Sequence, residues 1–211
     1  MDQTWAQIAA TPLENEHVLL RPVRPEDRAS WHAIAMYSPI WRYFVLRIDT
    51  DADFDAYFDL GLADQAAGRR VVYSITDKGS GAVAGSMSFC NMAQPDGRLE
   101  IGWSWLGRDF QGAGLNRWAK FLMMRHAFEQ MAAERVEFKT DILNIQARHG
   151  LLNVGAREEG TLRSFNPMPD GRRRDAVYYS VLRAEWPKVR DQLLTQPKVV
   201  WPEPETLGAP T

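Results

Sequence analysis

Residues 108 to 118 read Arg-Asp-Phe-Gln-Gly-Ala-Gly-Leu-Asn-Arg-Trp, with Gly112 and Gly114 one residue apart between the apolar run Ile101 to Leu106 and a long helical pattern. A glycine turn at the head of a helix can hold an anion. The first N–H groups of a helix lack partners within it, the dipole is positive there, and glycine lets a ligand approach the main chain closely. The segment is not a dinucleotide fingerprint, because Arg117 stands where the third glycine would fall, and it lacks the Gly-Lys-Ser/Thr ending of a P-loop. Taken alone it reads either as an ordinary strand-to-helix turn or as a phosphate site.

Other reactive side chains are sparse. Cys90 is the single cysteine, so an intramolecular disulfide and a cysteine-rich metal site are both excluded, and a reducing compartment is expected. His17 and His32 have no metal-ligand spacing; His126 falls near the apolar face of the long helical pattern and His149 in a shorter one, where core or surface placement competes with a cleft role. No metal site is expected. A formal net charge of -2 supplies no broad basic field, so nucleic acid is not an expected partner. The first residues, MDQTWAQIAATPLE, lack the basic start and apolar run of a signal peptide, and no stretch reaches the roughly 20 apolar residues of a membrane span. These features predict a cytoplasmic protein with no membrane partner.

The elements that must position the loop alternate along the chain. Residues 17–23 read as a strand, and Pro25-Glu26-Asp27 leads into a helix reaching about Met36. Asp49 to Ala67 places Phe54, Tyr57, Phe58 and Leu62 at helical spacing. Residues 69–77, 82–92 and Arg98 to Leu106 form a meander with turns at Lys78-Gly79-Ser80-Gly81 and Pro95-Asp96-Gly97. Gly114 to Ala132 is a long, broadly buried helix, Arg135 to Asp141 a strand, Asn144 to Val154 a short helix. Two runs around Pro169-Asp170-Gly171 close a hairpin near Leu182, and Glu185 to Leu194 is a final helix. The order predicts a mixed α+β sheet in which the strand ending at Leu106 lies parallel to the one starting at Arg135, with a crevice between them. Domain limits follow: an N-terminal extension at 1–12, one domain at 13–195 and a proline-rich tail at 196–211.

In this setting Gln111-Gly112-Ala113-Gly114 resembles the acyl-CoA pyrophosphate loop of the GNAT superfamily, the GCN5-related N-acetyltransferases. Thr140 to Asn144, followed by Val154-Gly155-Ala156, looks like that family's asparagine loop and helix end. Glu159 to Arg163 with residues 169–182 is similar to the C-terminal hairpin of the subgroup that includes the ribosomal-protein N-terminal acetyltransferases. The resemblance spans Leu13 to Trp186. It implies a GNAT fold: a mostly antiparallel twisted sheet with a splayed parallel pair and flanking helices.

The resemblance also implies roles. Gln111, Gly112, Ala113, Gly114, Leu115 and Asn116 would hold the coenzyme A pyrophosphate through backbone amides, the strand near Trp105 and Leu106 would pair with the pantetheine amides, and Asn144 would contact the pantetheine arm. Asn144 also reads as a helix N-cap. Transfer from a thioester to an amine needs the amine unprotonated and the oxyanion stabilised. Glu100 matches a frequent family base, against an ion pair with Arg98 or a neighbouring strand; Glu159 matches the subgroup's Glu-Gly glutamate, against a hairpin salt bridge. Departures are Asn116 for Gly or Ala, Ala147 for a frequent serine, and Leu151 where many members carry a tyrosine acid. Trp31, Tyr37, Trp41, Tyr43 and Phe44 either border the acceptor groove or pack in a core or dimer contact.

The expected activity is N-acetylation of a primary amine by acetyl-CoA, with a protein N-terminal α-amine as the leading acceptor. A small-molecule amine (polyamine, amino acid or antibiotic) is the alternative acceptor. A CoA-binding sensor or subunit with little turnover, suggested by Ala147 and Leu151, is the alternative class. Homodimerisation is common in the subgroup, which extends that expectation to this chain.

Overall fold

The structure is a computed structural model that describes residues 3–195; the tail expected at 196–211 lies outside the described residues. Helix α1 (Trp5–Ala9) opens on a capping box: Thr4 Oγ1 accepts from the Gln7 N–H while the Thr4 N–H donates to Gln7 Oε1. Strands β1 (Leu13–Glu14) and β2 (Val18–Pro22) follow, then a 3-10 turn at Pro25–Asp27 that runs into α2 (Arg28–Ala35). Thr50 and Asp53 form a second capping box at the head of α3 (Asp51–Ala66). The meander is β3 (Val71–Asp77), β4 (Val83–Ala93) and β5 (Arg98–Leu106); the crossover is α4 (Leu115–Glu129) and β6 (Arg135–Asp141). Helix α5 (Ile145–Asn153), the hairpin of β7 (Arg157–Pro167) and β8 (Arg173–Leu182), and α6 (Trp186–Thr195) complete the described chain.

All eight strands form one sheet in the order β1-β2-β3-β4-β5-β6-β8-β7. Every neighbouring pair is antiparallel except β5 with β6, which the α4 crossover makes parallel. This is the mixed α+β sheet that the element order predicts. The decisive detail is where the parallel pairing stops. It runs from Arg98 opposite Arg135 to Glu100 opposite Glu137 and no further, yet β5 continues to Leu106 and β6 to Asp141. Beyond Glu100 the two strands part. Bulges flank that point: Asn91 in β4 and Trp103 in β5 both take left-handed backbone angles, φ 48° and 53°, where the β4–β5 register shifts. A left-handed non-glycine residue costs on the order of 1–2 kcal/mol, so the surrounding packing must hold these bends.

Each sheet face carries its own core. One face packs Phe89, Leu99, Phe138 and Tyr179 against α4, α1 and α6. The other packs Val72 and Trp105 against Trp31, Phe54 and Phe58 of α2 and α3. Helix α1 belongs to the first core. Trp5 and Ala9 are buried, Trp5 Nε1 donates to the Met131 carbonyl at 2.7 Å, and the Tyr73 hydroxyl donates to the Ala9 carbonyl. His126 is buried in the same layer, its Nε2 3.1 Å from the Ile8 carbonyl, and burial holds its pKa below the usual histidine value.

Candidate active site

The parting of β5 and β6 opens a cleft of about 650 Å³. Strand β5 lines it from Glu100 to Ser104 and β6 from Phe138 to Thr140. Asn116 and Lys120 of α4, with Asn144, Ala147 and Leu151 of α5, form one wall; Phe165, Asn166, Pro167 and Arg174 of the β7–β8 hairpin form another.

Glu100 sits at the fork. Its side chain is largely buried, and Oε2 accepts from Asn91 Nδ2 at 2.8 Å and lies 3.4 Å from Lys139 Nζ. Of the two expected structural partners, Arg98 pairs instead with Asp96 and Glu137, whereas the neighbouring strand β6 does supply an ion pair through Lys139. Gly102 makes room for the carboxylate, since a Cβ there would fall 2.9 Å from Glu100 Oε1 and 3.2 Å from Cys90 Sγ. A second opening, lined by Arg69, Asn91, Arg98 and Tyr178 among others, also borders Glu100.

Glu159 is placed elsewhere. It lies outside the cleft lining, its carboxylate gripped by both terminal nitrogens of Arg135 and by the Ser180 hydroxyl at 2.7 Å. The Arg135 hydrogen bonds hold its pKa down at about 2. A carboxylate that holds its proton so weakly is a poor base. The hairpin salt bridge is therefore the reading the geometry favours for Glu159.

The glycine loop has the conformation its residues require. Gly112 and Gly114 adopt φ 81° and 86°, and Gly114 stands at the N-cap of α4 with no side chain to cap the first turn. Gln111 to Ala113 are exposed, and Gln111 Nε2 donates to the Leu106 carbonyl at 3.0 Å, tying the loop to the end of β5. A pyrophosphate fits this setting, an uncapped helix start of positive dipole reached over an exposed main chain. Leu115 points into the core. Asn116 faces the cleft, and its Oδ1 accepts from Lys120 Nζ. Asn144 is the expected N-cap, its Oδ1 accepting from the Ala147 N–H at 3.1 Å, and it also lines the cleft.

Trp105 and Leu106 are outside the lining; the strand edge that faces the cleft is Ile101 to Ser104. The Trp105 side chain is turned into the second core, where Nε1 donates to the Tyr57 hydroxyl at 2.9 Å. The early aromatic residues divide. Trp31 and Trp41 are fully buried, with Nε1 groups bonded to Ser74 Oγ and the Ala35 carbonyl, whereas Tyr43 and Phe44 line the cleft. Leu151 is buried at the cleft wall and offers no proton.

Lys120 escaped the sequence reading. It is a buried ammonium-bearing side chain one turn after Asn116, bonded to the Asn116 amide oxygen, with no carboxylate at ion-pair distance among the described residues. Burial pulls its pKa down to about 7. A signal existed, because a lysine four residues after Asn116 interrupts an otherwise apolar helix face. Among the described residues no group of three or more His, Cys, Asp or Glu side chains could hold a metal ion, and no helix is long and apolar enough to cross a membrane.

The geometry can now be set beside known proteins. A family model described as an acetyltransferase (GNAT) domain matches residues 17–157. The "Putative ribosomal N-acetyltransferase YdaF" of Bacillus subtilis is 26% identical over 179 residues, covering 82% of this chain and 94% of that protein. A GCN5-related N-acetyltransferase from Brucella melitensis superposes with a TM-score of 0.81 at 24% identity, covering 88% of this chain and 84% of that one. Mycobacterium smegmatis RimJ in complex with CoA-disulfide gives 0.73 at 24% identity, covering 87% and 91%; at this identity the two structures speak for the fold.

Proposed function

The chain belongs to the GNAT acetyltransferase family, and on that premise we propose that it carries an acetyl group from acetyl-CoA directly to a primary amine. The observation that carries the reading is the position of Glu100, a buried carboxylate held by one neutral amide and one lysine where β5 and β6 part. Coenzyme A would bind with its pyrophosphate at Gln111 to Asn116 and its pantetheine arm along the exposed edge Ile101 to Ser104, beside Asn144. The donor supplies an activated acetyl group. Glu100 takes the proton that the acceptor amine must lose.

Lys120 fills the role that Leu151 leaves vacant. Its ammonium faces the cleft from α4, and an amine with a pKa of about 7 is matched to giving up a proton near neutrality. The proton goes to the sulfur as the C–S bond breaks, and the neutral amine then recovers one from solvent.

For the acceptor, the relative whose name reads "Putative ribosomal N-acetyltransferase" supports a protein amine, with an N-terminal α-amine as the leading choice. Isothermal titration with acetyl-CoA tests the donor half. Saturable binding is expected, and no heat at high micromolar ligand would sink the reading. Acetylation of N-terminal peptides against free small amines then separates the acceptor classes.

A further inference from the structure

Arg174 is the feature that the mechanism above does not use. Its side chain is 94% buried by residue exposure of 6%, its Nε has no hydrogen-bond partner, and it lines the cleft. No ion pair or hydrogen bond engages its guanidinium among the described residues. Asp141 and Glu100 attract its charge through space, but each is bonded elsewhere. Asp141 gives its oxygens to Arg172 and to the Leu143 N–H, and Glu100 to Asn91 and Lys139. Burial is the largest influence and lowers the Arg174 pKa, and the attraction of Asp141 and Glu100 offsets only part of it. A guanidinium carries its charge at any physiological pH, so burying one without a hydrogen-bonded counter-ion is costly, and a ligand that supplies the anion removes that cost.

The sheet fixes which part of the reaction that ligand belongs to. Arg174, Ala176 and Tyr178 alternate along β8 on one face, and Tyr178 stands opposite Lys139 in the β6–β8 register. Lys139 in turn reaches Glu100 and lies over the rings of Tyr178 and Phe165. Glu100 and Arg174 therefore look into the cleft from the face that packs α2 and α3, whereas Lys120 and Asn116 enter from the α4 face, where the glycine loop begins. The base and the unpaired guanidinium share the acceptor side.

We propose that Arg174 receives a carboxylate carried by the acceptor, so that the preferred acceptor is an amine bearing its own carboxylate: the amine meets Glu100 and the carboxylate meets Arg174. Two sources share this chemistry, a free amino carboxylate and a peptide N-terminus followed by an acidic residue. The inference rests on the acetyltransferase reading of the same cleft and narrows its substrate.

The test uses the full chain saturated with acetyl-CoA or CoA. Straight-chain amino carboxylates of graded length and their carboxamides form one arm; peptides with aspartate or asparagine as the second residue form the other. Binding is read by calorimetry and turnover by CoA release, for the natural chain, Arg174→Met and Arg174→Lys. A charge-assisted bidentate contact predicts that carboxylates exceed carboxamides roughly ten- to a hundredfold in binding or kcat/KM, with the difference in KM. In Arg174→Met that preference disappears because KM for the carboxylates rises toward that for the carboxamides, and Arg174→Lys keeps part of it. The arm that shows the preference identifies the source. The proposal is overturned if the natural chain binds no carboxylate probe, treats carboxylates and carboxamides alike, or shows a preference that survives Arg174→Met; it is likewise overturned if the preference follows a carboxylate on the acyl chain, with succinyl-CoA as the donor probe. Should Arg174→Met fail to fold, Arg174→Gln and Arg174→Lys carry the comparison. Failure of the natural chain to bind acetyl-CoA is a separate result, which removes the functional reading itself.

Discussion

The lower and upper halves of the β5–β6 pair are built from similar residue types and treat them in opposite ways. In the lower half, where the strands are hydrogen-bonded, Arg98, Arg135, Glu137 and Glu159 neutralise one another in a chain of ion pairs. In the upper half the strands have separated, and Glu100, Lys120, Lys139 and Arg174 face a common space. Here a carboxylate is held by an amide and one lysine, an ammonium by an amide oxygen alone, and a guanidinium only by the through-space attraction of Asp141 and Glu100. Charges that cancel build structure; charges left partly unmatched in a desolvated cleft are held ready for a ligand. The same contrast separates Glu159 from Glu100.

The sharpest way to break this comparison is Glu100→Gln, which keeps the Asn91 side of the contact and removes the base. Turnover should fall on the order of 10² to 10⁴-fold, with acetyl-CoA affinity by calorimetry unchanged; retained kcat would move the base elsewhere. Next in size is Lys120→Met. We expect a fall in kcat on the order of tenfold to a hundredfold with acetyl-CoA affinity little altered. The natural enzyme's kcat should decline as pH rises through about 7, because the protonated amine is the active form, and Lys120→Met should lack that limb.

The same variant has a stability signature. A lysine whose folded pKa lies below its unfolded value costs stability: the unfolded chain binds the extra proton between about 10 and about 7. Lys120→Met should therefore raise Tm most below pH 7, and the gain should shrink as pH climbs toward 10 in a pH series of melting curves.

Gly102→Ala sharpens the geometry, since its Cβ would press on Glu100 Oε1 and on Cys90 Sγ. A loss of about tenfold in kcat/KM, with the fold intact by circular dichroism, would tie activity to the placement of that carboxylate. The smallest effect belongs to Glu159→Gln. Its salt bridge is partly exposed, so stability should drop by about 1 kcal/mol or less, with kcat unchanged. With its folded pKa lowered to about 2, Glu159 contributes stability that is present above its unfolded pKa near 4 and lost as pH falls toward 2. Acid titration of the variant should lack that component.

Much of the architecture was legible from local pattern. The turn at Pro95-Asp96-Gly97, the apolar helix after Gly114 and the hairpin turn at Pro169-Asp170-Gly171 carry their signals within a few residues, and the parallel pairing of β5 with β6 follows from the crossover. Helix α1 was not legible, because five residues are too few to show a period, and its anchors are contacts with Met131 and Tyr73 far along the chain. Lys120 passed unnoticed for a related reason: a lysine on a helix is ordinarily a solvated one.

Short segments carried the glycine loop and the helix it heads, because spacing and residue type are local properties, and the family resemblance of those segments implied the candidates Glu100, Glu159 and Asn144. Only the tertiary structure decided which glutamate meets the cleft. The parallel register stops at Glu100, so a separation of strands converts that residue from a paired strand carboxylate into an available one, while Arg135 claims Glu159. The tertiary fold also brings Lys120 and Arg174 to the lining of the cleft. Whether a charge is solvated, cancelled or left waiting depends on neighbours contributed by other elements, and no local pattern records them.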